Sequence, residues 1–133
     1  MDRLTLRPIG QVESSLTDPS AAPKQADEGA PPATLRLEPA FAAGAAGLAP
    51  GDRIIVLTWL DRADRDALTV HPRGDVARPA TGVFATRSPS RPNPIGLHEL
   101  RILQVDGARV RVSALEAVDG TPVLDVKPLL RGR

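Results

Sequence analysis

The stretch LRILQVDGARVRVSA, residues 100–114, sets two β-type runs on either side of an Asp-Gly pair. In the second run Val110, Val112 and Ala114 fall on one face and Arg109, Arg111 and Ser113 on the other. That two-residue period is the signature of a half-buried strand. Glycine enters positive φ without the penalty of a Cβ, so Asp-Gly between two such runs signals a hairpin. The spacing predicts strands over 100–105 and 109–114, turning at Asp106-Gly107.

Working outward, RIIVLTWL (53–60) is β-branched and almost wholly apolar, the composition of a central strand. Shorter strands are predicted over 4–12, 67–70, 82–86 and 122–126, the last beginning after a second Asp-Gly at 119–120. One helix candidate, Pro39 to Leu48, is rich in Ala but interrupted by Gly44 and Gly47. Residues 13–34 hold Pro19, Pro23, Pro31 and Pro32 and read as one long loop. The succession predicts a mainly β fold: a small antiparallel β-barrel or rolled sheet with at most one or two short helices, as a single domain over 1–133.

Composition narrows the function classes. The chain has 133 residues, 41% hydrophobic, but only 2% aromatic. Its core is therefore aliphatic, and an RNA-binding sheet that stacks bases on several aromatics is disfavoured. With 17 basic and 16 acidic residues the net charge is +1, which excludes a bulk polycation but not a local basic patch. Only Lys24 and Lys127 are lysines; the arginine bias suits phosphate or carboxylate recognition and equally follows from a GC-rich genome. The absence of Cys excludes disulfides, thiolate metal sites and a cysteine nucleophile, and fits a reducing cytoplasm. His71 and His98 lack partners at metal-ligand spacing and read as surface or hairpin residues, so no metal is expected. MDRLTLRPIG has no signal-peptide core, and no run approaches the ~20 apolar residues that span a bilayer, so a soluble protein without membrane contact is expected.

Gly44, Gly47 and Gly51 do not make a dinucleotide loop, because here the helix candidate precedes the strand instead of following it. The densest motif is TGVFATRSPSRPNPIG (81–96). Pro89, Pro92 and Pro94 fix three φ angles and remove three donors, giving a stiff loop that carries Arg87, Ser88, Ser90, Arg91 and Asn93. It reads either as a rigid β-connection with solvated arginines or as a preorganised binding loop. Gly96 is expected where a side chain would block a close approach. In EAVDGTPVLDVKP (116–128) Asp119, Thr121, Asp125 and Lys127 form a turn with a surface ion pair, or a set of acceptors for ribose hydroxyls or a cationic ligand. No Ser-His-Asp set, phosphate-binding loop or zinc-protease motif is present.

GVFATRSPSRPNPIGL (82–97) followed by VDGTPVLDVKP (118–128) resembles the TsaA/TrmO family, also called YaeB-like. IGQVESSL (9–16) is similar to that family's opening strand, APKQ (22–25) to its Pro-Arg-Gln segment, and GLAPGDRIIVLTWLDRAD (47–64) to its Phe-Ser-His-containing strand region. The resemblance implies a small β-barrel that binds S-adenosylmethionine, usually as a homodimer. It also implies methyl transfer to N6 of threonylcarbamoyladenosine beside the tRNA anticodon. This chain departs from the pattern at Asp61, where the family has His, at Gly51-Asp52-Arg53 in place of Phe-Ser-His, and at Lys24 in place of Arg. The family's usual C-terminal extension does not follow.

By position, the resemblance implies a cofactor site made of Pro23, Lys24 and Gln25, then Asp61 and Arg62, then Arg87 and Leu97, and the turn Glu116, Ala117, Val118, Asp119, Gly120 and Thr121. Arg91, Asn93 and Lys127 would face the substrate, with Arg87 toward the cofactor and Arg91 toward the acceptor or the partner subunit. No catalytic base is assigned. Methylation of a small-molecule acceptor, and a non-catalytic module that binds S-adenosylmethionine, remain the alternatives.

Overall fold

In the computed structural model, which describes residues 3–18, 29–71 and 75–130, the Asp106-Gly107 hairpin forms as its alternation predicts. Its arms are β6 (Ile95–Asp106) and β7 (Arg109–Val112). Gly107 takes φ 58°, which a side chain would oppose. The first arm begins five residues before Leu100, at Ile95, because Gly96, His98, Leu100 and Ile102 alternate inward along it. The second arm ends at Val112, and Leu115 rather than Ala114 enters the core.

Around this hairpin stand β1 (Gly10–Glu13), β2 (Ala33–Leu37), β3 (Arg53–Trp59) and β8 (Pro122–Pro128). All pairings are antiparallel, and the order β1-β2-β7-β6-β3-β8 closes into a barrel when β8 meets β1. The seam is short: Gly10 pairs with Val123 and Gln11 with Pro122. β4 (Thr69–Val70) and β5 (Thr81–Gly82) form a separate two-stranded ribbon. The interior is aliphatic, as the composition requires, with Val12, Leu35, Ile54, Val56, Ile102, Val110, Val112 and Val123 all buried.

Several expectations are corrected. β2 is a full barrel strand, although the long loop was read through Thr34; its ATLRL alternates Ala33, Leu35 and Leu37 inward against Thr34 and Arg36 outward. The helix candidate is a 3-10 segment over Pro39–Ala45 with no side-chain cap at Glu38 and no acidic residue in its first turn. Of the first predicted strand, 4–12, only residues 10–12 pair, within a β1 that runs on to Glu13, and 67–70 shrinks to Thr69–Val70. The predicted strand over 82–86 is instead a 3-10 turn, Val83–Ala85, closed by the Thr86 amide and hydroxyl both donating to the Val83 carbonyl.

The barrel has two distinct ends. At one, the 3-10 segment, the Pro50-Gly51-Asp52 turn and the hairpin tip meet: Leu37 N–H donates to Ala108 O and Gly51 N–H to Ile102 O, both at 2.8 Å. The other end follows from register. Trp59 opposite Ile95, Thr58 opposite Val123 and Glu13 opposite Thr34 bring the exits of β1 and β3 and the entrances of β2, β6 and β8 together.

Candidate functional site

The loops at that second end are tied to one another by named contacts. Leu60 N–H donates to Pro94 O at 2.8 Å, joining the exit of β3 to the Pro-rich loop. Arg65 Nε donates to Pro92 O at 2.8 Å and reaches Asn93 Oδ1 at 3.5 Å, while its guanidinium lies 5.1 Å from the centre of the Trp59 ring. Asp119 Oδ1 accepts from Ser14 N–H at 2.9 Å, and Asp119 N–H donates to Leu16 O at 2.6 Å. The acidic turn is thereby fixed to the segment leaving β1. Leu115 N–H donates to Pro31 O at 2.9 Å, which fixes the segment entering β2.

The Pro-rich loop is held by its own hydroxyls and by one arginine. Thr86 Oγ1 accepts from Ser88 N–H and Ser88 Oγ from Ser90 N–H. Arg91 Nη1 donates to the carbonyls of Thr86 and Ser88, each at 3.0 Å. Its charge therefore stiffens the loop from within. Arg87, by contrast, is exposed and makes no hydrogen bond or ion pair among the described residues, and Arg62 is likewise exposed. The stiffness expected from Pro89, Pro92 and Pro94 is reinforced by these side chains.

Inside the barrel at this end lies a buried polar chain. Thr58 Oγ1 is 2.8 Å from His98 Nε2, and His98 Nδ1 is 2.6 Å from Glu116 Oε1. Thr58 is fully buried and His98 is 5% exposed. A carboxylate only accepts, so Nδ1–H donates to Glu116, while Nε2 and the Thr58 hydroxyl share the second hydrogen bond. Gly96 explains why this chain fits: a Cβ there would lie 2.5 Å from Thr58 Oγ1 and 2.8 Å from His98 Nε2. The close approach expected of Gly96 is thus identified. His98 is not the surface residue its isolation in the sequence suggested, because the inward period of β6 carries it into the core. Glu116 Oε2 is buried without a hydrogen-bond partner among the described residues.

The turn that follows is defined by Thr121, which is buried and whose Oγ1 donates to Val118 O at 2.7 Å, and by Gly120 at φ 84°. Asp61, Arg62, Arg87, Asn93, Leu97, Glu116, Ala117, Val118, Asp119, Gly120 and Thr121 all belong to segments meeting at this end. Pro23, Lys24 and Gln25 lie outside the described residues, in the connection between β1 and β2. Lys127 stands apart, opposite Ile55 midway along β3, with Nζ 3.2 Å from Asp125 Oδ2. His71 is exposed, with Nδ1 2.8 Å from Arg78 O. The sequence reading missed Thr58, His98 and Arg65. The inward period shared by Thr58 and His98 was the available signal for the first two; Arg65 had none, since its partners come from a distant loop.

The opposite end contains an apolar hollow lined by Leu37, Phe41, Ala45, Leu48, Val126 and Asp125. A small-molecule site needs several converging polar groups. Asp125, already paired with Lys127, is the one charged side chain in that lining. Among the described residues no group of three or more His, Asp or Glu is arranged to hold a metal ion, and no helix is long and apolar enough to cross a membrane.

Comparison with known proteins bears on the polar end. The family described as the tRNA-methyltransferase O N-terminal domain matches residues 11–132. An S-adenosyl-L-methionine-binding protein of Archaeoglobus fulgidus is 42% identical over 124 residues, covering 93% of this chain and 88% of its own. A second protein of that organism, a probable S-adenosyl-L-methionine-binding protein, is 44% identical over 92% of this chain but only 33% of its own length. The crystal structure of TrmO from Pseudomonas aeruginosa superposes with a TM-score of 0.76 and 31% identity, over 97% of this chain and 57% of that one. The chain thus spans little more than half of that solved structure. The Pro-rich loop and the Asp-Gly-Thr-Pro turn, on which the resemblance first rested, both fall within the matched span, and the chain belongs to the tRNA-methyltransferase O N-terminal domain family.

Proposed function

We propose that this chain binds S-adenosylmethionine at the polar end of the barrel and transfers its methyl group to N6 of threonylcarbamoyladenosine beside a tRNA anticodon, acting as a cytoplasmic homodimer. The observation that carries the reading is the convergence of the β3 exit, the Pro-rich loop and the 116–121 turn on one end, pinned to each other by hydrogen bonds. The donor set fits such a ligand. Glu116 Oε2 is a buried acceptor without a donor, and Asp61 and Asp119 add carboxylates suited to ribose hydroxyls and an ammonium group. Arg87 and Arg62 are free to meet a carboxylate or phosphate.

When bound, the cofactor supplies an electrophilic methyl group on a sulfonium sulfur. The chain's part is alignment. A loop stiffened by Arg91 and three prolines, and a turn fixed through Asp119, hold ligand groups in one geometry, which is where most of the rate of such a transfer originates. Leu97, on the outward face of β6, offers an apolar edge for the adenosine. By resemblance, Pro23, Lys24 and Gln25 would also contact the cofactor.

The near-neutral charge supports a small-molecule acceptor as the second reading, because a +1 chain attracts polyphosphate weakly. Calorimetric titration with S-adenosylmethionine, then incubation with radiolabelled cofactor and either total tRNA or a small-molecule extract, tests the proposal. Binding with label on tRNA supports it, and label on a small molecule supports the second reading. Binding with no transfer leaves a non-catalytic module. Folded protein that does not bind the cofactor overturns all three.

A further inference from the structure

The Glu116 side chain is 18% exposed, but its Oε2 is buried and without a hydrogen-bond partner among the described residues. Oε1 accepts from His98 Nδ1 at 2.6 Å, and Oε2 has no partner. Among the described residues no arginine or lysine pairs with it; its one ion-pair partner is His98. Thr58 Oγ1 lies against Nε2 on the far side of the ring, so no member of the row reaches Oε2. A buried charge is costly unless a counter-charge comes near it. The neighbouring Asp119 is also acidic and does not supply one.

We propose that Glu116, held in place by His98 and Thr58, is the specificity-determining anion that selects a cationic sulfonium ligand over its neutral thioether counterpart. The inference rests on the cofactor reading above and adds to it a reason for the unpaired oxygen. Cofactor and spent product differ by one methyl group and one positive charge, and share every other recognition element. Hydrogen bonds to ribose or adenine cannot tell them apart, whereas a carboxylate in poorly screened surroundings can. Charge acts over several ångströms at an effective dielectric of about 20, so Oε2 need not touch the ligand. His98 and Thr58 are positioning residues here: they keep the carboxylate inside the barrel wall, where Gly96 leaves room for them.

The test is the ratio of two affinities, measured by titration calorimetry on the whole chain. Glu116→Gln keeps an oxygen to accept from His98, removes the charge and turns the other oxygen into an NH2 donor. We expect the affinity for S-adenosylmethionine, and for sinefungin with its amine in place of the methyl group, to fall about tenfold, while that for S-adenosylhomocysteine changes less than about twofold. A purely structural role would shift all three together, and that result, or no shift, overturns the proposal. Should the variant not fold, the unaltered protein still decides: it must bind the two cationic ligands more tightly than S-adenosylhomocysteine, and equal affinities overturn the inference. If folded protein binds none of the three, the cofactor reading itself falls; if it binds all three equally, only the selecting role of Glu116 does.

Discussion

Follow β3 and β6 along the barrel axis and the same inward face changes chemistry. Toward the hairpin end it presents Ile54, Leu100 and Ile102; toward the other it presents Thr58, Gly96 and His98. At the first end Leu37 and Ala45 close the interior with carbon, and Leu48 packs against them. At the second a hydroxyl, an imidazole and a carboxylate stand in a hydrogen-bonded row with one oxygen unserved. The difference separates two tasks. Burying aliphatic carbon stabilises the fold without directing it toward any ligand, whereas a buried polar row costs stability unless every group is satisfied. A fold can retain such a row when the rest of its interior supplies the stability.

Substitutions can break or sharpen this contrast. The largest effect on stability is expected from Leu35→Ala in the aliphatic interior, where a fully buried side chain is removed. Its loss lowers the unfolding free energy by roughly 3 kcal/mol in denaturant titration. Ligand affinity per folded molecule should be unchanged; a matching loss of affinity would mean that the two ends are not separate.

Next come two glycines, one at each end. Gly96→Ala forces a methyl against Thr58 and His98, at an expected cost of about 2 kcal/mol from overpacking, together with weaker S-adenosylmethionine binding. Gly107→Ala meets no neighbour and opposes only the φ of 58°, at about 1 kcal/mol, with binding intact. Thermal melts paired with calorimetry compare them, and equal effects on binding would erase the distinction between the ends.

The smallest stability effects divide the two arginines of the Pro-rich loop. Arg91→Ala removes two bonds to backbone carbonyls and should lower stability by about 1 kcal/mol. Arg87→Ala should leave stability within about 0.5 kcal/mol while weakening the cofactor. If Arg87→Ala binds as the unaltered protein does and Arg91→Ala does not, the free guanidinium is not a ligand contact and the loop's stiffness alone matters.

What could be read from the sequence tracks how local its causes are. The hairpin at Asp106-Gly107, β3 and β8 were legible because alternation and turn chemistry lie within a few residues. β2 was not, since ATLRL is short and follows four prolines, and only its pairing with β1 and β7 distinguishes it from loop. The Pro-rich loop and the acidic turn were legible as motifs, but their meeting at one end depends on strand register. The row from Thr58 to Glu116 joins residues 40 and 18 positions apart, and nothing in the local sequence of any member announces the others. Arg91 was legible as a cation, but not as a brace folded back on its own loop.

Trp59 is the chain's one tryptophan, and there is no tyrosine. It stands at the end of β3 beneath the Arg65 guanidinium, which in turn grips Pro92 and Asn93. Intrinsic emission from this protein is therefore a local signal, originating at the polar end and silent about the aliphatic one. Any event that shifts the Pro-rich loop pulls on Arg65 and alters the cation over the ring. The molecule carries its own optical reporter where the ligand question is posed, so occupancy can be followed in the unlabelled chain.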